Sequence, residues 1–357
     1  MPRTMSVVRL FGALATCGAL LASTSVIANA TPAAGEATIE KVVKVGDQRE
    51  DLTITSPAMG GDVHVTVLLP RDPSSSRGSL YLLDGAGSKS STVSDWIEKG
   101  GADKYFADKD VNVVLPAGRG AFYTDWQRRD PEMGKPKWET FLTKELPPLI
   151  DETYNGNGNN AVAGLSMGGQ SAFALATRHP SLYTGVGSMS GCPPVSGPIN
   201  ESYVRATVAK DGGDATNMWG PWGSPGWAEH DPSGRLDALR GKQIYISAGS
   251  GVPGPLDRRT VPDPGLTKDQ AVAVGGYLEI GAYRCSIEFA VRMRAAGIPA
   301  TENFQVIGTH SWAYWAEDLK TLWPTRSPGL GLVRQCSGTR GRGRKPGIGR
   351  SPRHGSR

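Results

Sequence analysis

The chain has 357 residues, 38% of them hydrophobic and 20% charged, with nine Trp and 47 Gly. That length and apolar content suffice for a large core. The charge and aromatic balance excludes a largely disordered chain, and glycine without a G-X-Y period excludes collagen and marks tight turns. The net charge of +5 sits at the ends: Arg340, Arg342, Arg344, Lys345, Arg350, Arg353 and Arg357 crowd segment 337–357 without an acid, and Arg3 and Arg9 open the chain, so the body is net negative and no nucleic-acid partner is expected.

At the N-terminus, Arg3 and Arg9 flank the start of an apolar stretch from Val7 to Leu21, and Ala28-Asn29-Ala30 gives a small-x-small cleavage pattern. Residues 1–30 therefore read as a secretory signal cleaved near Ala30, and the protein as exported. Gly12, Gly18, Ser23 and Thr24 dilute the stretch and argue against a retained anchor; Thr16 before Cys17 argues against lipoprotein attachment. Residues 31–50 read as a polar leader, 51–336 as one folded domain, and 337–357 as a disordered Gly/Arg-rich tail without function. No other apolar run approaches the roughly 20 residues that cross a bilayer.

Strand character follows at 63–69, 80–83 and 111–115. Residues 138–150 have helical spacing, with Phe141, Leu142 and Leu146 on one face and Pro147-Pro148 disturbing the end. A short strand at 160–164 leads into an Ala-rich helix over 166–179. Strands at 182–189 and 243–247, a helix at 279–296 and a last strand at 302–306 complete the pattern. Alternating strands and helices predict an α/β fold, a mostly parallel central sheet with helices on both faces. Segments 208–235 and 248–270, rich in Gly, Pro and Trp, read as excursions near a site.

Gly164-Leu165-Ser166-Met167-Gly168 matches G-x-S-x-G between a strand and a helix, the context of a nucleophile elbow, and makes Ser166 the candidate nucleophile. The Met167 amide at the helix start is one candidate oxyanion donor, and the Ala86 amide, in the loop Asp84-Gly85-Ala86-Gly87 after an early strand, is the second. A serine hydroxyl needs a base to take its proton. Of His64, His179, His230 and His310, only His310 follows the last strand, inside Gly308-Thr309-His310-Ser311-Trp312, where the order Ser, acid, His requires it. Asp257, Asp263, Asp269, Glu279 and Glu288 are open as the acid; topology favours Asp257 without deciding. Asp84 is either a hydroxyl-binding residue or a turn former. In an exported chain Cys192, Cys285 and Cys336 allow three pairings, and the place of Cys336 at the edge of the tail favours Cys192–Cys285. The chemistry asks for no metal and no cofactor.

These residues resemble a known family, the mycolyltransferases of the antigen 85 type. The shared stretches, in order and at similar spacing, are Ser56-Pro57-Ala58-Met59-Gly60, Leu82-Leu83-Asp84-Gly85, Phe122-Tyr123-Thr124-Asp125-Trp126, Lys137-Trp138-Glu139-Thr140-Phe141-Leu142, Gly164-Leu165-Ser166-Met167, Met218-Trp219-Gly220-Pro221 and Gly308-Thr309-His310-Ser311-Trp312. The resemblance implies an α/β-hydrolase fold and a Ser-Glu-His triad. Its acid lies in a Leu-Glu pair some thirty residues before the histidine, which moves the choice to Glu279 of Leu278-Glu279. It further implies that Asp84 binds a trehalose headgroup and that Trp312 lines the site. The activity implied is transfer of a mycolyl group from trehalose monomycolate to a second such molecule or to cell-wall arabinogalactan, at the envelope. The chain departs from the family at Gly87, where Arg is common, and at Asp130-Pro131-Glu132-Met133-Gly134, which replaces a cysteine-closed loop. Cys192 and Cys285 suggest a corynebacterial- or rhodococcal-like branch with its own disulfide. A secreted carboxylesterase with the same triad is the alternative. A non-catalytic envelope or matrix-binding protein is disfavoured because Ser166, Glu279 and His310 are all present.

Overall fold

The computed structural model describes residues 35–118 and 120–326. The signal pattern in 1–30, Cys17, Cys336 and the basic tail 337–357 lie outside the described residues. Among the described residues no helix is long and apolar enough to cross a membrane.

In chain order the elements are β1 (Thr38–Lys44), β2 (Arg49–Ser56), β3 (Gly61–Leu68), β4 (Arg77–Leu83), α1 (Asp95–Glu98), α2 (Ala102–Phe106), β5 (Asn112–Pro116), α3 (Trp138–Thr140), α4 (Leu146–Thr153), β6 (Gly156–Leu165), α5 (Met167–Arg178), β7 (Tyr183–Met189), α6 (Pro198–Lys210), α7 (Ala215–Trp219), α8 (Pro225–Glu229), β8 (Gln243–Gly249), α9 (Lys268–Ala295), β9 (Thr301–Gln305) and α10 (Trp312–Arg326). The strands form a nine-stranded sheet in the order β1-β2-β3-β5-β4-β6-β7-β8-β9. It is antiparallel from β1 through β3 to β5 and parallel from β5 to β9. This is the α/β-hydrolase architecture. Two apolar layers cover its faces, one around Phe141, Phe173 and Phe289, the other around Trp96, Leu82 and Trp315.

Several elements differ from the sequence reading, each for a local reason. Residues 38–50, read as leader, are β1 and the start of β2; β1 is an exposed edge strand, so it lacks the apolar alternation that marks a buried one. The helix at 138–150 runs on to Thr153 through a π-helical turn, Phe141–Glu145. Pro147 and Pro148 follow directly on that π-helical turn; lacking N–H groups they cannot bond back into it, and the helix continues past them to Thr153. The helix placed at 279–296 begins at Lys268, capped by Thr267 and Gln270. A Cβ on Gly276 would come within 2.7 Å of the Gly251 carbonyl oxygen, so close packing demands glycine there. Helices α6 and α10 carry too weak a periodicity to be read in advance. The loop at 130–134 closes through Asp130, whose carboxylate accepts the amides of Glu132 and Met133 and bonds Asp214 and Asn217, in place of a disulfide.

A disulfide joins Cys192, beyond the end of β7, to Cys285 on α9, across 93 positions. A loop of that length is worth on the order of 4–5 kcal/mol in the chain-entropy model. Replacing both residues (Cys192→Ser with Cys285→Ser) is expected to lower unfolding stability by that order. Denaturant titration checks it, and an unchanged midpoint would contradict it.

Candidate active site

Ser166 occupies the single position between β6 and α5, with φ +73° and ψ −112°, a region that costs a non-glycine residue about 1–3 kcal/mol. The flanking glycines serve contact rather than torsion. A Cβ on Gly164 would lie 2.5 Å from the Gly168 carbonyl carbon, and one on Gly168 would lie 2.4 Å from the Asp84 carbonyl oxygen. Side chains there would push α5 off the sheet. The Ser166 amide donates to the Met189 carbonyl at 2.9 Å, fixing the bend against the neighbouring strand.

The Ser166 hydroxyl donates to His310 Nε2 at 2.9 Å, and His310 Nδ1–H donates to Glu279 Oε2 at 2.6 Å. Because a carboxylate only accepts, the second bond fixes the tautomer in which Nε2 is free to take a proton. Glu279 is 1% exposed, and its Oε1 accepts the Ser190 hydroxyl and the Gly249 amide, both at 2.7 Å. A buried carboxylate with three donors is pinned in orientation. The Trp315 ring stands edge-on to His310 at 4.9 Å between centroids.

Asp257, the acid that topology favoured, lies next door but faces elsewhere. Its carboxylate accepts the hydroxyls of Thr309 and Tyr314 and the Gly254 amide, so it braces the loop that presents His310. His179 and His230 lie away from Ser166, around Glu139: His179 Nε2 is 2.7 Å from its Oε1, His230 Nε2 is 3.7 Å from its Oε2, and Arg178 bonds the same carboxylate. Burial would raise the Glu139 carboxyl, but these hydrogen bonds and the Arg178 charge outweigh it and hold it well below the usual range. Met167 opens α5, so its amide belongs to the first turn, which has no carbonyl four residues back. The Ala86 carbonyl accepts Lys210 Nζ at 3.1 Å, tying this loop to the end of α6.

Asp84, expected from the resemblance to bind a sugar, lies in the loop after β4. Asp84 is fully buried, and its carboxylate accepts the Ser94 hydroxyl at 2.8 Å and the amides of Asp95 and Trp96 at 3.3 Å. The start of α1 supplies orphan amides that attract a carboxylate. Trp312 is half-buried and packs edge-to-face between Trp96 and Trp315. Sequence reasoning missed Ser190, Gly249 and Trp315. Only the second Trp of Trp312-Ala313-Tyr314-Trp315 left a trace, as an aromatic close to the histidine.

Comparison with known proteins agrees with this geometry. The esterase family model, described as "Putative esterase", matches residues 56–324. The diacylglycerol acyltransferase/mycolyltransferase Ag85A of Mycobacterium leprae (strain TN) is 34% identical over 312 residues, covering 84% of this chain and 88% of that protein. The enzyme of the same description, Ag85B, of Mycobacterium avium is 32% identical over 313 residues, again 84% and 88%. Among solved structures, Mycobacterium tuberculosis MPT51 (FbpC1) aligns with a TM-score of 0.65 at 27% identity, over 81% of this chain and all of that one. An S-formylglutathione hydrolase from Agrobacterium tumefaciens shares the fold, with a TM-score of 0.57 at 16% identity over 81% of this chain and 98% of that one.

Burial raises the carboxyls of Asp84 and Asp318 from 3.8 to about 7. Each therefore takes up a proton on folding between those values and contributes stability that is present below pH 4 and lost as pH climbs to 7. Asp84→Asn is expected to flatten the fall in melting temperature between pH 4 and 7 relative to the parent. Parallel curves would show that Asp84 does not titrate there.

Proposed function

The chain belongs to the esterase family that includes the Ag85 mycolyltransferases, a serine-dependent acyltransferase, and from that premise we propose that it moves a mycolyl group between sugars outside the cytoplasmic membrane. The observation that carries the reading is the relay Ser166–His310–Glu279, closed by hydrogen bonds of 2.9 and 2.6 Å. Its donor is trehalose monomycolate; its acceptor is a second trehalose monomycolate or cell-wall arabinogalactan. Export is supported by the Arg-flanked apolar segment ending in Ala28-Asn29-Ala30 and by a disulfide suited to an oxidising compartment.

Ser166 attacks the ester carbonyl while His310 Nε2 takes its proton, and Glu279 stabilises the imidazolium formed. The amides of Met167 and Ala86 receive the developing oxyanion. His310 returns the proton to the departing trehalose, leaving the acyl group on Ser166. The second sugar hydroxyl then gives its proton to His310 and attacks the acyl-enzyme, and the serine is restored. Trp312 is a candidate for a wall of the sugar-side pocket. Transfer requires the sugar hydroxyl to outcompete water for the same intermediate.

Incubating the purified protein with trehalose monomycolate should yield trehalose dimycolate and a labelled acyl adduct on Ser166. Free mycolate as the sole product would establish hydrolysis instead, the carboxylesterase reading. Ser166→Ala should abolish turnover with an unchanged melting curve. Glu279→Gln should lower kcat by about 10³–10⁴ while Asp257→Asn costs far less. The reverse order would move the acid to Asp257.

A further inference from the structure

The carboxylate behind His310 is held from a place the chemistry does not require. Ser190 lies just past the end of β7, at φ +52°, a left-handed conformation that serine adopts at a cost and glycine does not. Its amide donates to the Ser247 carbonyl at 2.8 Å, so the backbone is locked to β8. Its hydroxyl donates to Glu279 Oε1 at 2.7 Å and accepts the Trp315 indole N–H at 2.8 Å. Ser190, Glu279 and Trp315 are 4%, 1% and 5% exposed, so little water competes for these bonds. Trp315 also sets its ring edge against the His310 imidazole. A turn needing only a left-handed residue would be served better by glycine, yet here a serine bears the strain.

We propose that Ser190 and Trp315 are positioning residues that act through Glu279: the indole N–H fixes the Ser190 hydroxyl so that its proton points at Oε1, which turns Oε2 toward His310. This rests on the triad reading above. The indole N–H can only donate, so the Ser190 hydroxyl proton is excluded from that direction and is directed at Glu279 Oε1 instead. Held by Ser190 and Gly249 on one oxygen, the carboxylate presents the other along a fixed line, and the imidazole is oriented in turn. Trp315 acts on both ends of the Glu279–His310 pair, on the carboxylate through its hydrogen bond to Ser190 and on the imidazole by ring contact.

The decisive variant is Ser190→Gly, because glycine suits φ +52° and keeps the backbone bond to Ser247. If Ser190 is merely a turn residue, this variant matches or exceeds the parent in both melting temperature and kcat. The proposal expects a kcat lower by roughly 10–100-fold and a KM within about twofold. The melting temperature gains from relief at φ +52° and loses from the Trp315 N–H and the Glu279 oxygen left without their partner, and does not decide the matter. It also expects the acid limb of kcat/KM to move to higher pH. A carboxylate with one donor fewer holds the imidazolium proton more tightly, whereas the other buried carboxylates on this side, Asp257 and Asp318, are untouched. Trp315→Phe keeps a ring against His310 but removes the N–H, and should shift kcat and the acid limb in the same sense by a smaller factor. Parent-like kcat and an unmoved acid limb in Ser190→Gly would overturn the assignment. Ser166→Ala is run alongside: its inactivity with a parent-like Ser190→Gly defeats this inference alone, whereas residual Ser166→Ala turnover defeats the triad reading itself.

Discussion

The strained backbone at Ser166 is the constraint around which the rest of the molecule is arranged. A φ of +73° in a non-glycine residue persists only if the surroundings over-determine it. Here β6 enters from the centre of the sheet, α5 leaves at once, and the glycines on either side let helix, strand and the loop after β4 approach closer than any side chain permits. The strain lifts the hydroxyl clear of the strand end, toward a histidine delivered from a loop 144 positions later in the chain. Without that packing the bend would relax and the oxygen would fall back onto the sheet.

The second anchor is the short segment after β7. Met189 accepts the Ser166 amide, Ser190 holds Glu279, the Gly191 carbonyl accepts the Ser286 hydroxyl at 2.7 Å, and Cys192 is bonded to Cys285. Four consecutive residues therefore tie the serine bend on one side to α9 on the other. Glu279, Cys285 and Ser286 lie on that helix, so the carboxylate is carried by an element fastened at three points. The disulfide thus stabilises more than the global fold: it limits how far α9 can slide relative to the strand end that positions Ser166.

The sheet and the elbow were legible because strands β3 to β8 are apolar runs with turn residues between them, and Gly164-Leu165-Ser166-Met167-Gly168 sits at a strand–helix boundary. His310 was legible by its order in the chain. The acid was not, since Asp257 and Glu279 both follow β8, and which one meets the imidazole depends on the first half of a 28-residue helix, where the buried positions are Gly275, Gly276 and Glu279 and the apolar ones, Ala282, Cys285, Phe289, Ala290 and Met293, come only later. Local pattern leans to Asp257, whose carboxylate meets Thr309, Tyr314 and Gly254; resemblance to a family favoured Glu279, whose carboxylate meets the imidazole. The surroundings of Asp84 were not legible either. The family pattern points to a sugar ligand, but the side chain is drawn into the first turn of α1, a contact between residues ten to twelve positions apart that no spacing rule anticipates.

The buried acids around the site sort by what faces them. Asp318 collects the hydroxyl of Ser247 and the side-chain amides of Asn303 and Gln305, all neutral donors, and burial lifts its carboxyl to about 7. Asp257 collects two hydroxyls and an amide beside the His310 loop. Of these three, Glu279 alone has an imidazole among its partners, and its other oxygen is occupied by neutral donors. Neutral donors fix direction without neutralising charge, so the negative potential of Glu279 is spent on the ring in front of it. A cation in place of Ser190 or Gly249 would satisfy the same oxygen and weaken that pull, and the neutrality of this shell is therefore as much a part of the site as the carboxylate it surrounds.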